Sequence, residues 1–132
     1  MPDYSGAVDD SRFCDRCRAY GHTNNYCSSL PSNQFGYFLT SMTPGFLPNP
    51  AGSQGNLCVL GDIGRYIGPG QVQNSGLLGL VSLEIDLDQM PRPTGPMAVQ
   101  PGDTWYFQFW HRDGGSTGPV SNMTDALRIQ FQ

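Results

Sequence analysis

Lysine is absent from this 132-residue chain, and glutamate occurs once. The seven basic residues are all arginine and ten of the eleven acids are aspartate, the usage of a GC-rich coding sequence. Charge is scarce overall, at 14% of residues, with a net −4. That balance excludes a general surface trap for nucleic acid or acidic lipid. No apolar run approaches the roughly 18 residues of a membrane-spanning helix. Met1 to Asp10 has no basic n-region and no apolar h-region, so it does not read as a signal peptide. Histidine occurs twice, as His22 and His111. No Gly-x-Ser-x-Gly elbow, Walker loop or His-Glu-x-x-His motif is present. His111-Arg-Asp113 has the letters of a kinase catalytic loop and nothing else of a kinase. The expectation is therefore a chain that is not an enzyme.

What is abundant is glycine, proline and aromatic surface. Gly and Pro contribute 17 and 11 residues, against seven Phe, six Tyr and two Trp. So many turn formers favour short strands over long helices. The aromatics supply enough apolar area for one modest core. A chain this aromatic and this weakly charged is not a disordered one.

Strand patterning is clearest in Val81 to Leu87. Val81, Leu83, Ile85 and Leu87 share one face, and Ser82, Glu84 and Asp86 the other. In Thr104 to Arg112, Trp105, Phe107 and Phe109 alternate with Tyr106, Gln108 and Trp110. Ala126 to Phe131 places Leu127, Ile129 and Phe131 inward. Phe35 to Thr40 is a fourth candidate, with Leu57 to Leu60 and Met97 to Val99 as short ones. Between 41 and 76 the periodicity is weak, and an ordered loop region with one or two short strands is expected. Turn chemistry at Thr43-Pro-Gly45, Gly68-Pro-Gly70, Pro101-Gly-Asp103 and Asp113-Gly-Gly115 separates the strands. The pattern predicts a mainly β fold, an antiparallel β-sandwich over 31–132, with a short irregular cysteine-rich segment at 1–30.

That segment reads Cys-x2-Cys-x4-His-x4-Cys, through Cys14, Cys17, His22 and Cys27. Three thiolates and an imidazole close a tetrahedral zinc shell with no open position, which makes a structural site. Gly21 permits the bend that returns His22 to the centre. Residues 13–27 resemble the CCHC zinc-knuckle family. The phrase Cys14-Asp-Arg-Cys-Arg-Ala-Tyr-Gly-His22 is similar to knuckles at the tail of microtubule plus-end linker proteins. The resemblance implies structural zinc at the four ligands, and binding of single-stranded nucleic acid or protein. Arg12, Arg16 and Arg18, with Phe13, Tyr20 and Tyr26, offer charge and stacking faces for that role. Asp3, Asp9, Asp10 and Asp15 offset the charge. Four cysteines equally allow three disulfide pairings. One of them, Cys27 with Cys58, suits an oxidising compartment.

From Pro31 onward the chain resembles an uncharacterised bacterial domain found at the C-terminus of predicted secreted or surface proteins. The phrases that carry the resemblance include Ser32-Asn-Gln-Phe-Gly-Tyr-Phe-Leu39, Gly52-Ser-Gln-Gly-Asn-Leu-Cys58, Ile63-Gly-Arg-Tyr66 and Val99-Gln-Pro-Gly-Asp-Thr-Trp-Tyr-Phe-Gln-Phe-Trp-His-Arg-Asp113. It implies a β-sandwich, an extracellular or cell-surface setting, and an accessory role toward glycan or another surface protein. The two resemblances point to opposite compartments, since a zinc knuckle belongs in a reducing cytoplasm. Further candidates are an outer-face pair, Tyr106 and Trp110, suited to sugar stacking, and an acidic row, Glu84, Asp86 and Asp88, suited to calcium. Asn122-Met-Thr124 matches a glycosylation acceptor.

Overall fold

The computed structural model describes residues 6–8, 17–20, 24–28, 30–48, 56–115, 118–124 and 126–131. Twelve strands and no helix are found among them. They are β1 (Gly6–Val8), β2 (Cys17–Tyr20), β3 (Asn24–Cys27), β4 (Phe35–Ser41), β5 (Thr43–Pro48) and β6 (Asn56–Leu60). There follow β7 (Gly64–Arg65), β8 (Gln73–Asn74), β9 (Val81–Glu84), β10 (Thr104–Gly115), β11 (Gly118–Met123) and β12 (Leu127–Gln130). Every ladder is antiparallel. The mainly β character expected from the glycine, proline and aromatic content is what the chain adopts.

A seven-stranded sheet runs β1-β12-β10-β4-β7, with β11 on β10 and β8 on β4. A three-stranded sheet runs β2-β3-β9, and β5 and β6 form a hairpin. Strand β10 is the longest and pairs with β4, β11 and β12. Its alternation divides the molecule. Trp105, Phe107, Phe109 and His111 are buried on one side. The first three join Phe38, Leu127, Ile129 and Phe131 with Cys27, Val81, Leu83 and Ile85 in one apolar cluster. The cluster thus draws on residues of both the seven-stranded and the three-stranded sheet. Phe38 meets Phe109 edge to face at 4.9 Å, a geometry worth about 0.5–1.5 kcal/mol beyond area burial. The amide of Asn25 and the indole N–H of Trp105 are buried and have no hydrogen-bond partner among the described residues.

The β5–β6 hairpin lies on the other side of β10, where Gln108 is the main polar link to it. Gln108 is buried there. Its Oε1 accepts from the Cys58 N–H at 2.9 Å, while Nε2 donates to the Asn56 carbonyl at 2.8 Å and the Thr124 carbonyl at 2.6 Å. Thr124 is itself locked to Phe109. Its N–H donates to the Phe109 carbonyl, and its Oγ1 accepts from the Phe109 N–H, both at 2.9 Å. Only Met42 separates β4 from β5, so the chain crosses from sheet to hairpin in one residue. The buried Ser41 hydroxyl marks that corner, donating to the Leu60 carbonyl at 2.6 Å.

Several expectations are revised. The region 41–76 holds four strands rather than one or two: β5 to β8. Period-2 reading misses β5 because it has no buried residue, and misses β7 and β8 because each has two residues. Alternating burial continues from Val81 to Leu87, yet the ladder ends at Glu84. Beyond it, Leu87 offers its carbonyl to the Val99 N–H instead. Met97 to Val99 is no strand and makes one bridge, Met90 to Met97. Part of the segment expected to be irregular is β structure: β1 pairs with β12, and β3 pairs with β9.

Gln108→Leu keeps the volume and removes three hydrogen bonds at once. It is expected to cost about 2–4 kcal/mol, because backbone groups of Cys58, Asn56 and Thr124 lose their partner. Urea unfolding of the variant beside the parent protein measures this.

Candidate functional site

Two surfaces and one cysteine pair stand out. The first surface is the outer side of β10 beyond the edge of the hairpin. Residues opposite one another across a ladder share a face, as do residues two apart along a strand. Trp110 therefore lies on the side of Gln108, and its partner across the ladder is Tyr37. Their ring centroids are 5.2 Å apart, tilted by 38°. The Arg112 guanidinium stands 5.7 Å from the Trp110 ring centroid. Phe35 follows on the same face of β4 and is 55% exposed. The expected pair was Tyr106 and Trp110. Both lie on this face and are half-buried, but the ring that meets Trp110 is Tyr37. Cross-strand register, which the sequence does not display, chooses the neighbour.

The second surface is the turn between β8 and β9. Leu77 and Leu78 are 85% and 80% exposed, although they read in sequence as part of an apolar run. The turn beneath them is tightly braced. The Ser75 hydroxyl donates to the Pro31 carbonyl and accepts from the Gln34 N–H. The Ser75 N–H donates to the Gln34 carbonyl, and the Leu80 N–H to the Ser75 carbonyl, both at 2.9 Å. The N–H groups of Asn33 and Leu30 donate to the Gly76 and Gly79 carbonyls. Gly79 has φ +68°, and a Cβ there would sit 2.3 Å from the Leu30 carbonyl oxygen. Only glycine meets both conditions.

The exposed apolar side chains share a property of sequence. No Asp, Glu, Lys or Arg occurs in 19–61 or in 66–83. The large apolar side chains exposed among the described residues, from Phe35 and Phe46 to Leu77, Leu78 and Leu80, all fall inside those two stretches. A scan for charge-free windows finds the stretches. Which of their side chains face solvent is a tertiary matter.

Of the proposed zinc ligands, Cys14 and His22 lie outside the described residues, as does Arg16. Cys17, Arg18 and Tyr20 are on β2, where the backbone register sets Cys17 opposite Cys27. Cys27 is fully buried and disulfide-bonded. Cys58 is buried and keeps its thiol, so the Cys27–Cys58 bridge considered from sequence is not formed. Cys27 belongs to the core on one side of the seven-stranded sheet. Cys58 is on β6, which Gln108 ties to the opposite side. The sheet stands between them.

Among the described residues no group of three or more His, Cys, Asp or Glu gathers as a metal site. Glu84, Asp86 and Asp88 are exposed, and Asp86 Oδ1 accepts from the Asp88 N–H at 3.0 Å as a local turn bond. His111 is buried against Phe109, the rings stacked 6.2 Å apart. Its Nδ1 is 3.0 Å from the Arg112 carbonyl oxygen. A carbonyl can only accept, so Nδ1 carries the proton and donates. No helix among the described residues is long and apolar enough to cross a membrane. No protein-family model, curated protein or solved structure matches the chain.

The braced turn gives a contrast within five residues. Leu77→Ser and Leu78→Ser are expected to change stability by less than about 0.5 kcal/mol, as exposed positions do. Gly79→Ala forces a left-handed φ on a Cβ that meets a backbone carbonyl, and is expected to cost more than about 1 kcal/mol. Thermal unfolding of the three variants in one buffer makes the comparison.

Proposed function

We propose that this chain is a non-enzymatic binding module, a β-sandwich of secreted or surface-protein type that engages a glycan or another surface protein. The observation that carries it is the segregation of exposed apolar side chains into charge-free stretches, one pair of them on a rigid turn. Apolar surface gathered without charge marks contact surfaces on soluble domains. Rigid presentation lowers the ordering cost of binding. The sandwich reading draws on the single apolar cluster shared by the seven-stranded and three-stranded sheets. The outside setting draws on the disulfide at Cys27, since such bonds persist in oxidising compartments.

A second reading is a structural zinc knuckle, with zinc on Cys14, Cys17, His22 and Cys27. The ligand spacing supports it, together with the register that sets Cys17 opposite Cys27. Thiolate is the ligand form of cysteine, so this state belongs to a chain reduced at Cys27. In it, Arg16, Arg18 and Tyr20 flank the metal and contact nucleic acid or protein.

Two measurements test these readings. Incubation with chromogenic glycoside, ester and peptide substrates is expected to give no turnover. Turnover that disappears in His111→Ala or Asp86→Asn would remove the non-enzymatic reading. Native mass spectrometry with a thiol count separates the cysteine states. The disulfide form is expected to show two titratable thiols or fewer and no metal. One chelatable zinc per chain with four thiols would establish the knuckle instead.

A further inference from the structure

We infer that the outer face of β8, β4, β10 and β11 is a carbohydrate-binding platform centred on Trp110 and Tyr37. The inference rests on the binding-module reading and names its ligand and site. Four strands meet here in fixed register. Asn74 is opposite Phe35, Tyr37 is opposite Trp110, and Ser121 is opposite Arg112. All six side chains belong to the face that carries Gln108, by the alternation of β10 and its ladder partners. At about 4.8 Å per strand the four strands span roughly 14 Å. That width holds a short oligosaccharide lying across them.

The chemistry of the patch selects the ligand. Tyr37 and Trp110 present neighbouring rings at 5.2 Å and 38°, a shallow twisted shelf. The C–H face of a pyranose packs on such rings, because the ring faces are electron-rich and the sugar C–H bonds carry partial positive charge. Phe35, more than half exposed, extends the apolar strip along β4. Polar groups border it. Asn74 is exposed, with Oδ1 engaged by the Gly76 N–H, which leaves its amide donors for hydroxyl oxygens. Arg112 is exposed and Ser121 half-buried. Arg112 is the one formal charge among the six, so the platform suits neutral or weakly anionic sugars. The rings lie along a sheet face, half-buried at Tyr37 and Trp110 and more exposed at Phe35.

Gly36 makes this closeness possible. It lies between Phe35 and Tyr37 with its Cα facing His111 across the ladder. A Cβ there would come 2.2 Å from the Trp110 carbonyl oxygen and 2.7 Å from the Phe109 ring. Glycine lets β4 lie tightly on β10, which fixes the distance between the two platform rings.

The test is affinity electrophoresis of the full chain in native gels cast with hydroxyethylcellulose, xylan, glucomannan or alginate, joined to a tryptophan fluorescence titration with the matching oligosaccharides. Trp105 is wholly buried, which makes Trp110 the reporter. The expected result is retardation by at least one polysaccharide and a fluorescence change. Binding should weaken by about tenfold or more in Trp110→Ala and in Tyr37→Ala, the loss of one central contact. It should fall by about threefold or more in Arg112→Ala and Phe35→Ser, exposed positions that serve should the ring variants fail to fold. Gln89→Ala, an exposed position beyond β9, should bind as the parent does. Retardation that persists in all four platform variants would overturn the site while leaving the module reading in place. Absence of retardation by every polysaccharide, or a tryptophan response to a proline-rich peptide alone, would overturn the carbohydrate ligand. The substrate panel judges the module reading separately.

Discussion

The amide of Gln108 decides how this molecule is layered. It sits in the middle of β10, on the side away from the aromatic core, and is the only buried polar side chain on that face of the strand. With one acceptor and two donors it meets one N–H and two carbonyls, from β6 and from the segment joining β11 to β12. The match leaves no ambiguity about which end of the amide is oxygen, since the reverse orientation would set donor against donor. A buried polar group satisfied in this way specifies one arrangement, where an apolar contact would tolerate sliding. The hairpin is thereby tied over the middle of β10.

The Ser75 hydroxyl does comparable work at the other surface. It joins Pro31 and Gln34 to the start of the turn that carries Leu77 and Leu78. Backbone bonds from Leu30 and Asn33 complete the clasp. Two leucines that would gain free energy from burial are held in solvent by bonds that do not involve their side chains.

The cysteines show how topology selects among pairings that composition leaves open. The spacing favours zinc, while the count of four cysteines also allows bridges. Once β3 is built into the three-stranded sheet and β6 lies beyond the seven-stranded one, Cys27 and Cys58 are on opposite sides of the central strand. The same arrangement sets Cys17 opposite Cys27 in the register of a short antiparallel pair.

Much of the fold was legible in the chain. Alternation in Val81 to Leu87, Thr104 to Arg112 and Ala126 to Phe131 named the inward faces, because a strand with one buried side must alternate. The inward residues Trp105, Phe107, Phe109, Ile129 and Phe131 are the core. The sequence also carried the absence of charge over 19–61 and 66–83, and the outward placing of Trp110. Three things were settled by tertiary structure alone. The strands β5, β7 and β8 are too short or too exposed to show a period. The partner of Trp110 is Tyr37, because register is a relation between strands distant in sequence. The solvent exposure of Leu77 and Leu78 follows from hydrogen bonds between 30–34 and 75–80, which no local pattern encodes.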